Sequence, residues 1–164
     1  MTKTTGFTRT NFKRNLRGFT IIEIIVVFAV IAVLSTIGVA SFVNYNRIQT
    51  LQTAAADFTS TLNLAKSRSL SQVKPAECAS QVLDGYRVNI SLSSNSYTLE
   101  TICSGFSYRI QSRNLPQNVT FQSSQPTSFF FPVIAGGVSG AGTVVLSSFG
   151  QTKSITVDEI GGIK

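Results

Sequence analysis

The chain has 164 residues, 43% hydrophobic and only 13% charged, a balance that excludes a disordered chain and allows one modest domain with an appendage. Its formal net charge of +7 points at first to nucleic acid. The distribution removes most of that reading. Lys3, Arg9, Lys13, Arg14 and Arg17 precede Gly18 with no acidic residue among them, and the remaining nine Lys/Arg stand against seven Asp/Glu.

The first predicted element is an apolar run over 19–43 in which Glu23 is the only charged residue. A carboxylate at bilayer depth costs roughly 2.5–3.5 kcal/mol on insertion scales, so its placement at the head of the run asks for a reason. The basic residues lie before the run, and after it the next are Arg47 and Lys66. The positive-inside rule therefore predicts a cytoplasmic N-terminus and an exported C-terminal domain. An ordinary secretory signal has a shorter apolar core, although "GVAS" at 38–41 could serve as its cleavage site. An uncleaved anchor fits the length and leaves Glu23 at the headgroup level without a role.

A third reading accounts for Glu23. "RGFTIIEIIVVFAVIAVLS", with its "FT-x-x-E" spacing, resembles the class III signal of type IV prepilins. "GFT" also occurs at Gly6–Thr8, where Arg9 and no apolar run follow. The resemblance implies that a prepilin peptidase/methyltransferase removes the leader 1–18 between Gly18 and Phe19 and N-methylates Phe19. Cleavage creates a cationic amine, and a carboxylate about one helical turn away, on this or a neighbouring subunit, can neutralise it. That would make Glu23 an assembly residue that sets axial register.

No proline interrupts the chain from Phe19 to Val73. Gly38 alone weakens the run, by about 1 kcal/mol relative to Ala, either to let the helix stretch or as a small residue at a contact. Beyond Val43, over 44–74, Ile48, Leu51, Ala55, Phe58, Leu62 and Ala65 recur at alternating spacings of three and four, which is one seam of an amphipathic helix. One helix to about residue 72 would be roughly 80 Å long, its first half facing lipid or other subunits, its second half a sheet of the same chain. Pro75 is expected to end it.

From 75 to 164 the composition shifts to a β-rich domain. Strands are expected over 86–92, 97–103, 106–111, 119–122, 127–133, 142–147 and 153–157, with hairpin turns at "SSNS" (93–96) and "FGQT" (149–152). Phe129, Phe130 and Phe131 suit a strand covered on both faces, or else a binding patch. Cys78 and Cys103 lie in the exported part, where a disulfide is permitted. A bridge would close a loop worth roughly 3–4 kcal/mol in the chain-entropy model. Two buried free thiols are the alternative.

Within this class the chain resembles the FimT/GspH group of minor pilins and minor pseudopilins, through "NLAKSRSLSQ" at 63–72 and "FFFPVIAGGVSGAGTVVLSS" at 129–148. The resemblance implies an α+β, pilin-like fold: a long N-terminal helix packed on a C-terminal antiparallel sheet or sandwich. It implies other pilin subunits, an inner-membrane assembly platform and, before assembly, membrane lipid as partners. Catalytic chemistry is not in view. There is no histidine, no phosphate-binding loop and no HExxH, so no cofactor or metal is expected. "GGVSGAG" at 136–142 reads as a strand connection. Asp158 and Glu159 would face opposite sides of a strand, and Asp84 reads as a turn residue.

The leading expectation is a minor structural subunit of a type IV pilus or a type II secretion pseudopilus. The second is a DNA-binding competence pilin, for which Lys153 and Lys164, beside Asp158 and Glu159, are the candidate contacts. The third is a membrane-tethered sensor or enzyme domain, which would need a polar constellation that the sequence does not display.

Overall fold

The structure, a computed structural model, describes residues 18–164, apart from the side chains at 36–38 and 40. The five basic residues before Gly18 and nearly all of the expected leader lie outside the described residues. The chain divides into two compact units, Met1–Ser41 and Phe42–Lys164.

One helix, α1 (Ile21–Leu70), contributes to both units. In the first, every described large apolar side chain from Phe19 onward is exposed. In the second, the expected seam is buried: Leu51, Ala55, Phe58, Leu62 and Ala65 are at most 4% exposed. Ile48 is only half-buried, while Ala54, Thr61 and Ser69 join the buried face. Thr61 is accommodated because its hydroxyl donates to the Asp57 carbonyl at 3.0 Å.

The helix does not run on to Pro75. Gln72 takes a left-handed conformation, φ 49°. The Val73 N–H donates to the Arg68 carbonyl (3.1 Å) and the Gln72 N–H to the Ser69 carbonyl (3.2 Å). These paired bonds form a Schellman motif, which satisfies the last carbonyls and stops the helix at Leu70. Proline only follows the stop. A 3-10 turn, Ala76–Cys78, then leads to the strands.

All seven expected strands are present: β1 (Leu83–Ser91), β2 (Ser96–Cys103), β3 (Phe106–Asn114), β4 (Thr120–Gln125), β5 (Ser128–Pro132), β6 (Gly142–Ser148) and β7 (Gln151–Val157). They form two antiparallel sheets, ordered β3-β2-β1-β5 and β4-β6-β7. The hairpin turns are tighter than the sequence suggested. Ser96 already belongs to β2, and the second turn is only Phe149–Gly150, with φ of 49° and 80°. Ser104–Gly105 turns the same way, at 48° and 83°. Two consecutive positive φ values match the right-handed twist of the strands they join.

Three expectations are corrected here. β5 is an edge strand with alternating burial: Phe129 and Phe131 are fully buried, while Phe130 turns outward beneath the Arg87 guanidinium, 5.6 Å from its ring centre. Asp84 lies within β1, where its carboxylate accepts the Gly105 N–H at 2.7 Å and anchors the β2–β3 turn. The adjoining bulge needs Gly85, because a Cβ there would overlap the Phe131 carbonyl and the Phe130 ring. Asp158 and Glu159 follow β7 in a turn, and Asp158 accepts the Gly162 N–H at 2.5 Å.

The two sheets meet on one residue of α1. The Phe58 ring packs edge-on against Tyr97 of β2 at 5.1 Å and Phe121 of β4 at 5.8 Å, and those two rings lie 6.4 Å apart. Burial pushes the Tyr97 hydroxyl above its ordinary pKa, and does the same to Tyr86. The Tyr86 hydroxyl donates to the Val73 carbonyl, fixing the chain that leaves α1. Because Phe58 is fully buried and touches both sheets, Phe58→Ala is expected to cost about 3–5 kcal/mol. Guanidinium unfolding of the detergent-solubilised protein, followed by tyrosine near-UV circular dichroism, measures it.

Candidate assembly site

The first turn of α1 is built by four consecutive residues. The Glu23 N–H donates to the Thr20 hydroxyl at 3.3 Å, and the Ile24 N–H to the Thr20 carbonyl at 3.3 Å. Thr20 is therefore the N-cap, with an acidic residue at the third helical position. Thr-x-x-Glu before an apolar run is the signature of a capping box, a signal present in "TIIE" that the spacing argument about Glu23 passed over. Glu23 also places its negative charge in the first turn, where the helix dipole favours it. Gly18 and Phe19 immediately precede this cap.

Gly18 has a further property. A Cβ added there would meet nothing within 4 Å, and its φ does not lie in the left-handed region. The described fold therefore does not require glycine at this position. From Phe19 through Tyr45 the described large apolar side chains are between 41% and 81% exposed. Among the described residues no helix is long and apolar enough to cross a membrane. The side chains at 36–38 and 40 interrupt the described stretch, and the span over 19–43 stays an expectation.

The other expected residues lie in the second unit. Cys78 and Cys103 are joined by a disulfide, with Cα atoms 5.7 Å apart, linking the 3-10 turn to the end of β2. Both are fully buried. Lys153 and Lys164, far apart from Gly18 in sequence, are brought together on a cleft of about 660 Å³ between β7 and α1. They reach it because the C-terminal residues fold back. Ile163 bridges Val157, and Lys164 exchanges two 2.9 Å backbone bonds with Thr156. The "GGVSGAG" connection is also tied down, since Ser139 pairs with Phe130 and the Val138 N–H donates to the Glu159 carbonyl. Among the described residues, no group of three or more His, Cys, Asp or Glu could hold a metal ion.

Residues 13–39 match the family described as the prokaryotic N-terminal methylation motif. Among solved structures, the chain is similar to the minor pseudopilin EpsH from the Type 2 Secretion System of Vibrio cholerae, with a TM-score of 0.51 and 16% identity, over 70% of this chain and 94% of that one. No curated protein matches. The motif covers the junction at Gly18 and most of the apolar run. The structural likeness concerns the fold, a helix packed on antiparallel sheets. The chain is thus pilin-like in both its N-terminal signal and its architecture. Such a signal implies peptidase processing, inner-membrane anchoring and assembly with similar subunits.

The disulfide closes a loop of 25 residues' separation, so Cys103→Ala is expected to lower stability by about 2–5 kcal/mol. Thiol labelling of the parent protein without reductant should find neither cysteine reactive. Full labelling of both in the folded protein would contradict the bridge.

Proposed function

We propose that the chain is a minor structural subunit of a type IV pilus or a type II secretion pseudopilus. Its prepilin peptidase/methyltransferase cuts between Gly18 and Phe19 and methylates the new terminus. The N-terminus starts in the cytoplasm, the run 19–43 holds the protein in the inner membrane, and the unit Phe42–Lys164 lies outside. An assembly platform then passes the subunit to a filament of other pilins. The observation that carries this reading is the exposed apolar face from Phe19 to Tyr45, in a chain whose second seam, from Leu51 to Ala65, is buried. Apolar area of this extent is stable only against lipid or other apolar surfaces. Gly18 supports the same reading: a side chain there would meet nothing in the described fold, and a narrow peptidase pocket is a reason for glycine at this position.

Glu23 has two physical roles to separate. It stands at the third position of the first turn of α1, which Thr20 caps, and it sits where it can neutralise the amine of Phe19 across a subunit contact. Glu23→Gln separates them, since glutamine serves at the third position of a capping box but carries no charge. If charge pairing sets register, both Glu23→Gln and Glu23→Val are inserted and cut normally yet enter filaments poorly, and Glu23→Asp is intermediate. Glu23→Gln filaments as abundant as the parent's, measured in sheared fractions, would leave its place in the first turn of α1 as the only role.

The leader is tested separately. Gly18→Phe should leave it attached, and mass spectrometry of the parent should give a terminus at methylated Phe19. A terminus at Ser41 would indicate ordinary signal peptidase processing.

A further inference from the structure

We propose that the open edge of β7 and the adjoining cleft receive an extended, acidic polypeptide segment from a partner protein, added as a strand. β7 pairs with β6 along one side only. On its other side, Thr156 exchanges two backbone bonds with Lys164. Backbone groups in an antiparallel strand alternate sides every residue, so Ser154 and Thr152 also direct their N–H and C=O away from β6. Among the described residues, neither has a backbone partner there. Ile163 and Lys164 thus occupy the first places of the lane beside β7, and among the described residues no strand pairs with Ser154 and Thr152 on that side.

The cleft lies along this open stretch. Ser154 and Ile155 line one wall, and α1 lines the other with short side chains, among them Ala55, Ala56 and Ser60. A chain added beside β7 at the usual strand spacing of about 4.8 Å would run along this cleft, whose volume is about 660 Å³. Lys153 and Lys164 line the same cleft, and no Asp or Glu side chain does. An unsatisfied strand edge recruits a peptide backbone, and neighbouring pockets select its side chains. Here the selection is for carboxylates that reach the two ammonium groups. A single-stranded nucleic acid suits the site less well, because such strands bind by stacking on aromatic rings and no aromatic residue lines this cleft. The inference rests on the unit Phe42–Lys164 and does not depend on the filament reading.

The probe is a fluorescein-labelled alternating Val–Glu peptide of about eight residues, titrated by anisotropy into the full chain in detergent. Alternating Val–Lys and Gly–Ser peptides and a single-stranded oligothymidine serve as comparisons. The Val–Glu peptide should bind best, and more weakly as salt rises. Ser154→Pro removes one outward N–H without disturbing the β6 ladder, and should weaken binding about tenfold or more. Ser154→Ala, which keeps the N–H, should weaken binding far less than Ser154→Pro. Lys153→Glu should weaken the Val–Glu peptide and favour the Val–Lys peptide, a reversal that mere loss of folding would not produce. The proposal is overturned if the Val–Glu peptide does not bind, if a folded Ser154→Pro protein binds it as the parent does, or if oligothymidine competes more strongly. The last result would make the cleft a nucleic-acid site.

Discussion

Two sheets that share no strand still have to close one core, and Phe58 is where they do so. Its ring contacts Tyr97 from the first sheet and Phe121 from the second, edge-on in both cases. Edge-to-face pairs add roughly 0.5–1.5 kcal/mol each beyond area burial. The rest of the unit follows from that arrangement. Leu51, Leu62 and Ala65 lie on the same helical face, so the seam meets both sheets at once. Small residues lie on or beside it, Ala54 and Ala55 among them, and allow the strands to approach the helix backbone. A polar residue on this face must satisfy itself within the helix, as Thr61 does.

The first unit obeys the opposite logic. Its apolar side chains face outward in every described direction, a pattern that in a single soluble molecule would cause aggregation. What begins it is polar and local: Thr20 caps the helix and Glu23 occupies the first turn. The same four residues therefore serve helix initiation and stand beside the junction that the methylation motif covers. The start of the helix and the matched motif share one short piece of chain.

Much of this was legible in the sequence. The three-and-four spacing of the seam marks five buried residues, Ile48 alone of the six being half-buried. Ala54, Thr61 and Ser69 were missed because their burial depends on neighbours rather than on their own hydrophobicity. Pro75 is the conspicuous residue and is expected to end the helix, but Gln72, in a left-handed conformation, ends it first. Gln72 carries no compositional warning of that. The three phenylalanines suit a strand covered on both faces or a binding patch, but β5 turns one face toward the core, and a triplet of identical residues cannot reveal which. Asp84 looked like a turn residue and in fact holds a turn elsewhere in the sheet, a contact no local window contains. Lys153 and Lys164 were noticed for their charge, whereas the cleft that unites them exists only once the last residues fold back on Thr156 and Val157.

The strand order has a consequence for the sequence of folding events. β1, β2 and β3 form a meander of adjacent hairpins, so they can pair as soon as they are available, at small loop-closure cost. The remaining strands cannot. β4 pairs with β6, while β5, which lies between them in the chain, pairs with β1 in the other sheet. β4 must therefore wait, its edge open, until a strand two elements later arrives. If the chain emerges N-terminus first, half of the domain gains local order early, and the other half stays open to mispairing until almost the last residue is free. Contacts of high sequence separation are slow to form and expose strand edges meanwhile. The bridge from Cys78 to Cys103 lies wholly within the early half, so its oxidation is topologically independent of the late one.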